Sequence, residues 1–216
     1  MWPYYKESGD IVKKFNGSFD KIFEAIFFIL LVIYVAIGLL TKNIEVTIWT
    51  CVTILMLIGL RVFSKITQIL LTPFLNITVL GFIFLAMFLG NINNFYDIYH
   101  WDTILHTSSG FLTFLLGYMV FLYFNNSKID NINSLVIVLF VLFFSISCAA
   151  LWEIWEFSGD QLLGLNSQLS LFDTMKDIIT GIIIPLFLCP FLNRHLNGSN
   201  NKLFNEITCL MAHKRK

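Results

Sequence analysis

The chain is short of charge. Asp, Glu, Lys and Arg make up 13% of its 216 residues, about half the share usual in a soluble domain. Acids and bases balance at fourteen each. There is no basic excess to attract a polyanion, so a nucleic-acid partner is excluded at the level of bulk electrostatics. Cysteine is scarce too. Cys51, Cys148, Cys189 and Cys209 show no C-x-x-C or other metal or redox spacing. Three of them lie in apolar runs, where a thiol serves as a small hydrophobe. Internal repeats and low-complexity tracts are absent, which excludes a solenoid. No small-residue cleavage site follows the first apolar run. Its upstream flank, MWPYYKESGDIVKKFNGSFDK, is too long and polar for a signal-peptide n-region. The run therefore reads as a retained helix.

What the chain does have is apolar residues, 57% of the total, gathered in long blocks. A membrane span needs about 20 of them. Six blocks qualify: about Ile22 to Leu40, Val46 to Val62, Leu70 to Leu89, Thr103 to Phe124, Leu135 to Trp155 or beyond, and Phe172 to Leu192. The sequence predicts an all-α, multi-pass integral membrane protein of six transmembrane helices. Residues 22–193 form the membrane domain, with tails at 1–21 and 194–216. Pro73 falls in a first turn, where a missing N–H costs little. Pro185 and Pro190 are expected to kink or end the sixth helix. The stretch NGSNNK after it reads as a flexible tail.

Lys and Arg set the orientation. The N-terminal tail carries Lys6, Lys13, Lys14 and Lys21. The second connection carries Arg61 and Lys65, the fourth Lys128. The C-terminal tail carries Arg194, Lys202, Lys214, Arg215 and Lys216. All of these share one side of a six-helix topology. The other side has Lys42 and Lys176, and the third connection, NINNFYDIYHW, has neither Lys nor Arg. Both termini are expected in the cytoplasm, and the third and fifth connections outside. The setting implied is a bacterial plasma membrane.

Half of the acids crowd the outer ends of helices four, five and six. Asp97 and Asp102 flank the start of the fourth. Glu153, Glu156, Asp160, Asp173 and Asp177 surround the fifth connection. Asp102 and His106 are spaced i, i+4, as are Asp173 and Asp177, while Glu153, Glu156 and Asp160 follow i, i+3, i+7. Each set shares one helix face. Carboxylates at this depth are costly unless paired or bound to a cation. Either several stay protonated or a divalent metal neutralises them. Oxygen ligands suit Mg²⁺, Mn²⁺ or Ca²⁺, and a histidine among them would admit Zn²⁺ less readily. Trp101, Trp152 and Trp155 read as an interfacial aromatic belt. His100 reads as a surface residue, and Glu24 as an acid favoured by the start of its helix. Ser108, Ser109 and Gly110 either let helices approach closely or contact a substrate.

The order of motifs is D-x-x-x-H-x-x-S-G (Asp102, His106, Ser109, Gly110), then E-x-x-E-x-x-x-D (Glu153, Glu156, Asp160). Q-x-x-x-x-D-T-x-x-D-x-x-x-G follows (Gln168, Asp173, Thr174, Asp177, Gly181). This resembles the YjdF-like family of bacterial membrane proteins and, more distantly, the VanZ-like family. The likeness covers about residues 90 to 190. VanZ-like proteins are associated with glycopeptide resistance and share a proposed four-helix core with enzymes acting on lipid headgroups. The connection after the fifth helix has no arginine here, a departure from that pattern which argues against carrying over the antibiotic role.

Three functions compete. The first is an enzyme acting, with a divalent cation, on a lipid phosphate or headgroup at the outer leaflet. His106, Asp102 and Glu153 would be its catalytic groups, with His106 as base or nucleophile. Glu156, Asp160, Asp173 and Asp177 would hold the metal, and Ser109, Gln168 and Lys176 would contact the substrate. The second is a proton or cation transporter, disfavoured because no acid continues toward the midplane and no inverted repeat is seen. The third is a scaffold or sensor, for which so many acids are a costly means of packing. The partner expected in the first case is membrane lipid; protein partners are not legible.

Overall fold

The computed structural model describes residues 18–67, 72–127, 129, 131–165 and 167–213. Residues 1–17, Lys128 and the last three, on which part of the orientation argument rests, lie outside the described residues. The described chain is helical throughout, with no strand. The helices are α1 (Ser18–Leu40), α2 (Ile44–Thr67), α3 (Pro73–Ile92), α4 (Trp101–Phe124), α5 (Ser134–Leu163), α6 (Leu171–Leu196) and α7 (Lys202–His213). Helices α1 to α6 are long and apolar enough to cross a membrane, so the six expected spans are present. The residues form two compact units, one running to Trp101 and taking in those from Cys209 onward, the other Asp102–Thr208.

In the first unit α1, α2 and α3 pack around Phe27, Leu31, Leu57, Leu80, Ile83, Phe88 and Ile92. Ile22, Ile26, Ile29 and Ile33 line the opposite face of α1 and stay exposed, as suits a helix turned to lipid. Thr72 caps α3 by accepting from the Leu75 amide at 3.3 Å, with Pro73 in the first turn. From Phe84 to Ile92 the helix widens to π geometry. Two asparagines occupy carbonyls that this widening shifts. Asn91 Nδ2 donates to the Ala86 carbonyl at 3.1 Å and Asn93 Nδ2 to that of Phe88 at 2.6 Å. Tyr34 then donates to Asn93 Oδ1 at 3.1 Å. Near the start of α1, Arg61 pairs with Glu24, and Asn76 donates to Asp20 at 2.9 Å. Glu24 is thus tied to α2 rather than serving its own helix alone.

The second unit joins α4, α5, α6 and the start of α7. Phe114, Tyr118, Leu122, Ile137, Val141 and Leu192 are buried in it. α6 runs through Pro185 and Pro190 without ending at either. The expected tail is also corrected. After a turn at Asn197–Asn201 the chain folds into α7, whose Phe204 and Ile207 are buried. Phe204 meets Tyr118 edge-on at 5.8 Å, and Tyr118 shares a 2.8 Å hydrogen bond with Thr208. The apolar side chains at 203, 204, 207 and 210 recur at helical spacing, and tertiary contact turns a marginally long helix into a stable one.

α5 positions the site. At 30 residues it is about 45 Å long, longer than the roughly 30 Å hydrocarbon core. Glu153 lies about 29 Å from its first residue, so the turns carrying Glu153, Glu156 and Asp160 reach the membrane surface. Asp102 and Asp177 lie within the first two turns of α4 and α6, at the matching end.

Candidate functional site

The centre is built from three helices that glycine lets come together. A Cβ at Gly110 of α4 would overlap the Gly181 carbonyl oxygen of α6 and meet Pro185 Cδ at 3.0 Å. Only a glycine fits there. His106 lies one turn before Gly110, and Asp177 one turn before Gly181. The close crossing therefore carries these two side chains into one place. A Cβ at Gly181 would stand 3.3 Å from Ala149 of α5, so a small residue admits the third helix, and Glu153 follows Ala149 by one turn.

His106, Glu153 and Asp177 are 6%, 4% and 2% exposed, while Asp102 at the rim is more open. His106 Nε2 stands 3.6 Å from Asp102 Oδ1 and 3.7 Å from Glu153 Oε1. Both separations exceed a hydrogen bond. One ligand atom each from Asp102, His106 and Asp177 lies within 4.8 Å of the other two. A cation about 2.0–2.4 Å from each needs separations of about 3–4.5 Å, so these three require little contraction to grip one. Glu153 Oε1 and Asp177 Oδ1 are buried with no hydrogen-bond partner. Burying an acceptor in that state costs about 1–3 kcal/mol, which a cation would offset.

Around this centre the remaining acids are engaged. Glu156 accepts from the Trp152 indole at 2.8 Å and is within electrostatic reach of Glu153, Asp102 and Asp177. Asp160 serves the loop after α5. Its Oδ1 accepts from the Ser167 amide at 2.8 Å and its Oδ2 from the Gln168 amide at 2.9 Å. Gln168 Nε2 then reaches back to the Glu153 carbonyl at 3.2 Å and to Glu153 Oε2 at 3.5 Å. This steadies one carboxylate oxygen of Glu153 and leaves the other facing His106. Lys176 Nζ lies 2.6 Å from Asp173 and 3.7 Å from Asp177. Ser109 turns onto its own helix, donating to the His106 carbonyl at 2.8 Å.

The expected residues thus divide. Asp102, His106, Glu153 and Asp177 converge, with Glu156 and Lys176 beside them. Asp160 has both oxygens in a loop clasp, and Asp173 holds Lys176. Asp97 and His100 belong to the first unit. Trp152, assigned to the aromatic belt from the sequence, also holds Glu156. Its i, i+4 spacing to that acid was the available signal.

A protein of Thermotoga maritima described as uncharacterized is 31% identical over 125 residues, 56% of this chain and 63% of its own length. The chain thus matches less than two thirds of that relative. No solved structure matches it. The family model described as "Predicted membrane protein (DUF2238)" matches residues 22–197, a stretch holding all six spans and every residue of the centre. The chain is a multi-pass membrane protein belonging to the DUF2238 family.

Proposed function

We propose that Asp102, His106 and Asp177 bind a divalent cation, and that the centre hydrolyses a phosphate ester of a membrane lipid at the outer leaflet. The observation that carries this is the pair of buried carboxylate oxygens without a partner, Glu153 Oε1 and Asp177 Oδ1, beside a histidine. A cation satisfies them, and carboxylate and imidazole together suit Mn²⁺ or Mg²⁺. The depth of the centre, at the ends of three spans, is the depth of lipid phosphates. The Lys/Arg distribution assigns that end to the outside.

The cation draws a phosphoryl oxygen and lowers the pKa of a bound water. Glu153 Oε1 takes a proton from that water as its oxygen bonds to phosphorus. The P–O ester bond breaks, and the proton passes to the departing alkoxide oxygen, giving a phosphate monoester and an alcohol. Lys176, held by Asp173, offsets charge on the phosphate.

The test uses the full chain purified in maltoside micelles. Mn²⁺ binding is followed by titration calorimetry, and thermal stability is read with and without chelator. Wild type should bind Mn²⁺, lose stability with chelator, and release alcohol or phosphate from a lipid panel. Asp177→Asn should weaken Mn²⁺ by more than about tenfold, and Glu153→Gln should abolish turnover while Mn²⁺ still binds. A wild type that binds no divalent ion and is unmoved by chelator refutes the reading.

A further inference from the structure

Charge balance around the centre points to the kind of headgroup it takes. Asp102, Glu153, Glu156, Asp173 and Asp177 act on one another electrostatically. Lys176 is the one lysine or arginine in ion-pair contact with them among the described residues. With a single divalent cation in place, two negative charges remain uncompensated, and an incoming phosphodiester adds another. A lipid carrying only its phosphate charge meets repulsion. One that carries a fixed positive charge next to the phosphate does not.

The place for that charge is on α5. Glu156 accepts from Trp152 through Oε1, while its second oxygen has no hydrogen bond among the described residues. The Trp152 side chain is itself exposed, so its ring face is open beside the carboxylate. An aromatic face next to a carboxylate is the surface that an ammonium group prefers. Glu156 is also within reach of Asp102, Glu153 and Asp177, so an ammonium held there sits alongside the phosphate site, as the two charges do in a zwitterionic headgroup. Resting on the metal reading above, we infer that the substrate is an ammonium-bearing phosphodiester lipid, with Glu156 and Trp152 binding the ammonium.

The experiment measures binding to the Mn²⁺-loaded, full-length, chelator-responsive protein in maltoside micelles. Probes are dihexanoyl-phosphatidylethanolamine, dihexanoyl-phosphatidylglycerol and chain-free glycerophosphoethanolamine. Wild type should prefer the ethanolamine lipid over the glycerol lipid by at least about tenfold. Glu156→Gln and Trp152→Ala should each bring that ratio toward one, whereas Asp173→Asn should leave it above half its wild-type value. Retention of the preference by chain-free glycerophosphoethanolamine keeps the ammonium site and makes a soluble phosphodiester its ligand; loss of binding without chains assigns it to lipid. Equal binding of the two lipids by wild type, with Mn²⁺ bound, overturns the inference and leaves the metal centre standing. Collapse of the ratio in Asp173→Asn as in Glu156→Gln shows a diffuse field and overturns the local site. Failure of wild type to bind Mn²⁺ overturns both.

Discussion

Gly110 and Gly181 cross so closely that a methyl group on the first would overlap the carbonyl oxygen of the second. Each lies one turn beyond a polar residue of the centre, so the crossing and the site are one feature. A small residue at a helix interface buys proximity of backbones; here the proximity is what brings His106 to Asp177.

Gly110→Ala is therefore expected to destabilise the second unit, because the added atom meets backbone rather than a side chain that can turn away. The cost should be about 1–3 kcal/mol, visible as a lower melting temperature in micelles and as weaker Mn²⁺ binding. Gly59→Ala, where nothing lies within 4 Å of the new Cβ, should leave both unchanged. Equal melting temperatures for Gly110→Ala and wild type would contradict the close crossing.

Asp160→Ala removes the acceptor of two loop amides. Hydrogen–deuterium exchange at Ser167 and Gln168 should speed up, and Mn²⁺ affinity should fall only indirectly, through the looser hold of Gln168 on Glu153. Asp160→Asn, which keeps an acceptor oxygen, should recover part of the protection. Unchanged exchange in Asp160→Ala would show that the loop is held by something else.

Glu206 of α7 is 9% exposed. Burial pushes its carboxyl above the usual carboxylate range, with Lys202 opposing the shift. A raised folded-state pKa means that the protonated form is favoured by folding. This contribution is full below the ordinary carboxylate range and is lost as pH rises through the raised value. Docking of α7 should thus weaken from acid toward neutral pH. Melting of wild type against Glu206→Gln across that range checks the sign: the variant should be the more stable at neutral pH, and the difference should shrink on acidification. A difference that grows on acidification would rule this account out.

Orientation is read from single cysteines on a background lacking Cys51, Cys148, Cys189 and Cys209. Ser167→Cys should react with an impermeant maleimide in intact cells, and Lys202→Cys only after lysis. The reverse pattern would turn the protein over and place the centre at the inner leaflet.

The six spans were legible in the sequence because a run of about 20 apolar residues is a local property. The faces shared by Asp102 with His106, and by Glu153 with Glu156, were legible because the helical period alone sets them. Tertiary structure decided the rest. Asp160 has the spacing of a cluster member, yet the loop after α5 folds back and takes both of its oxygens. Trp152 has the composition of a belt residue, yet its indole holds Glu156. The π turn of α3 depends on asparagines bonding to carbonyls five residues back, and α7 depends on Tyr118, 86 positions before Phe204 in the chain. Local pattern fixes which residues share a face. Which faces meet depends on how near two backbones can come, and at Gly110 and Gly181 that is set by atoms 71 residues apart.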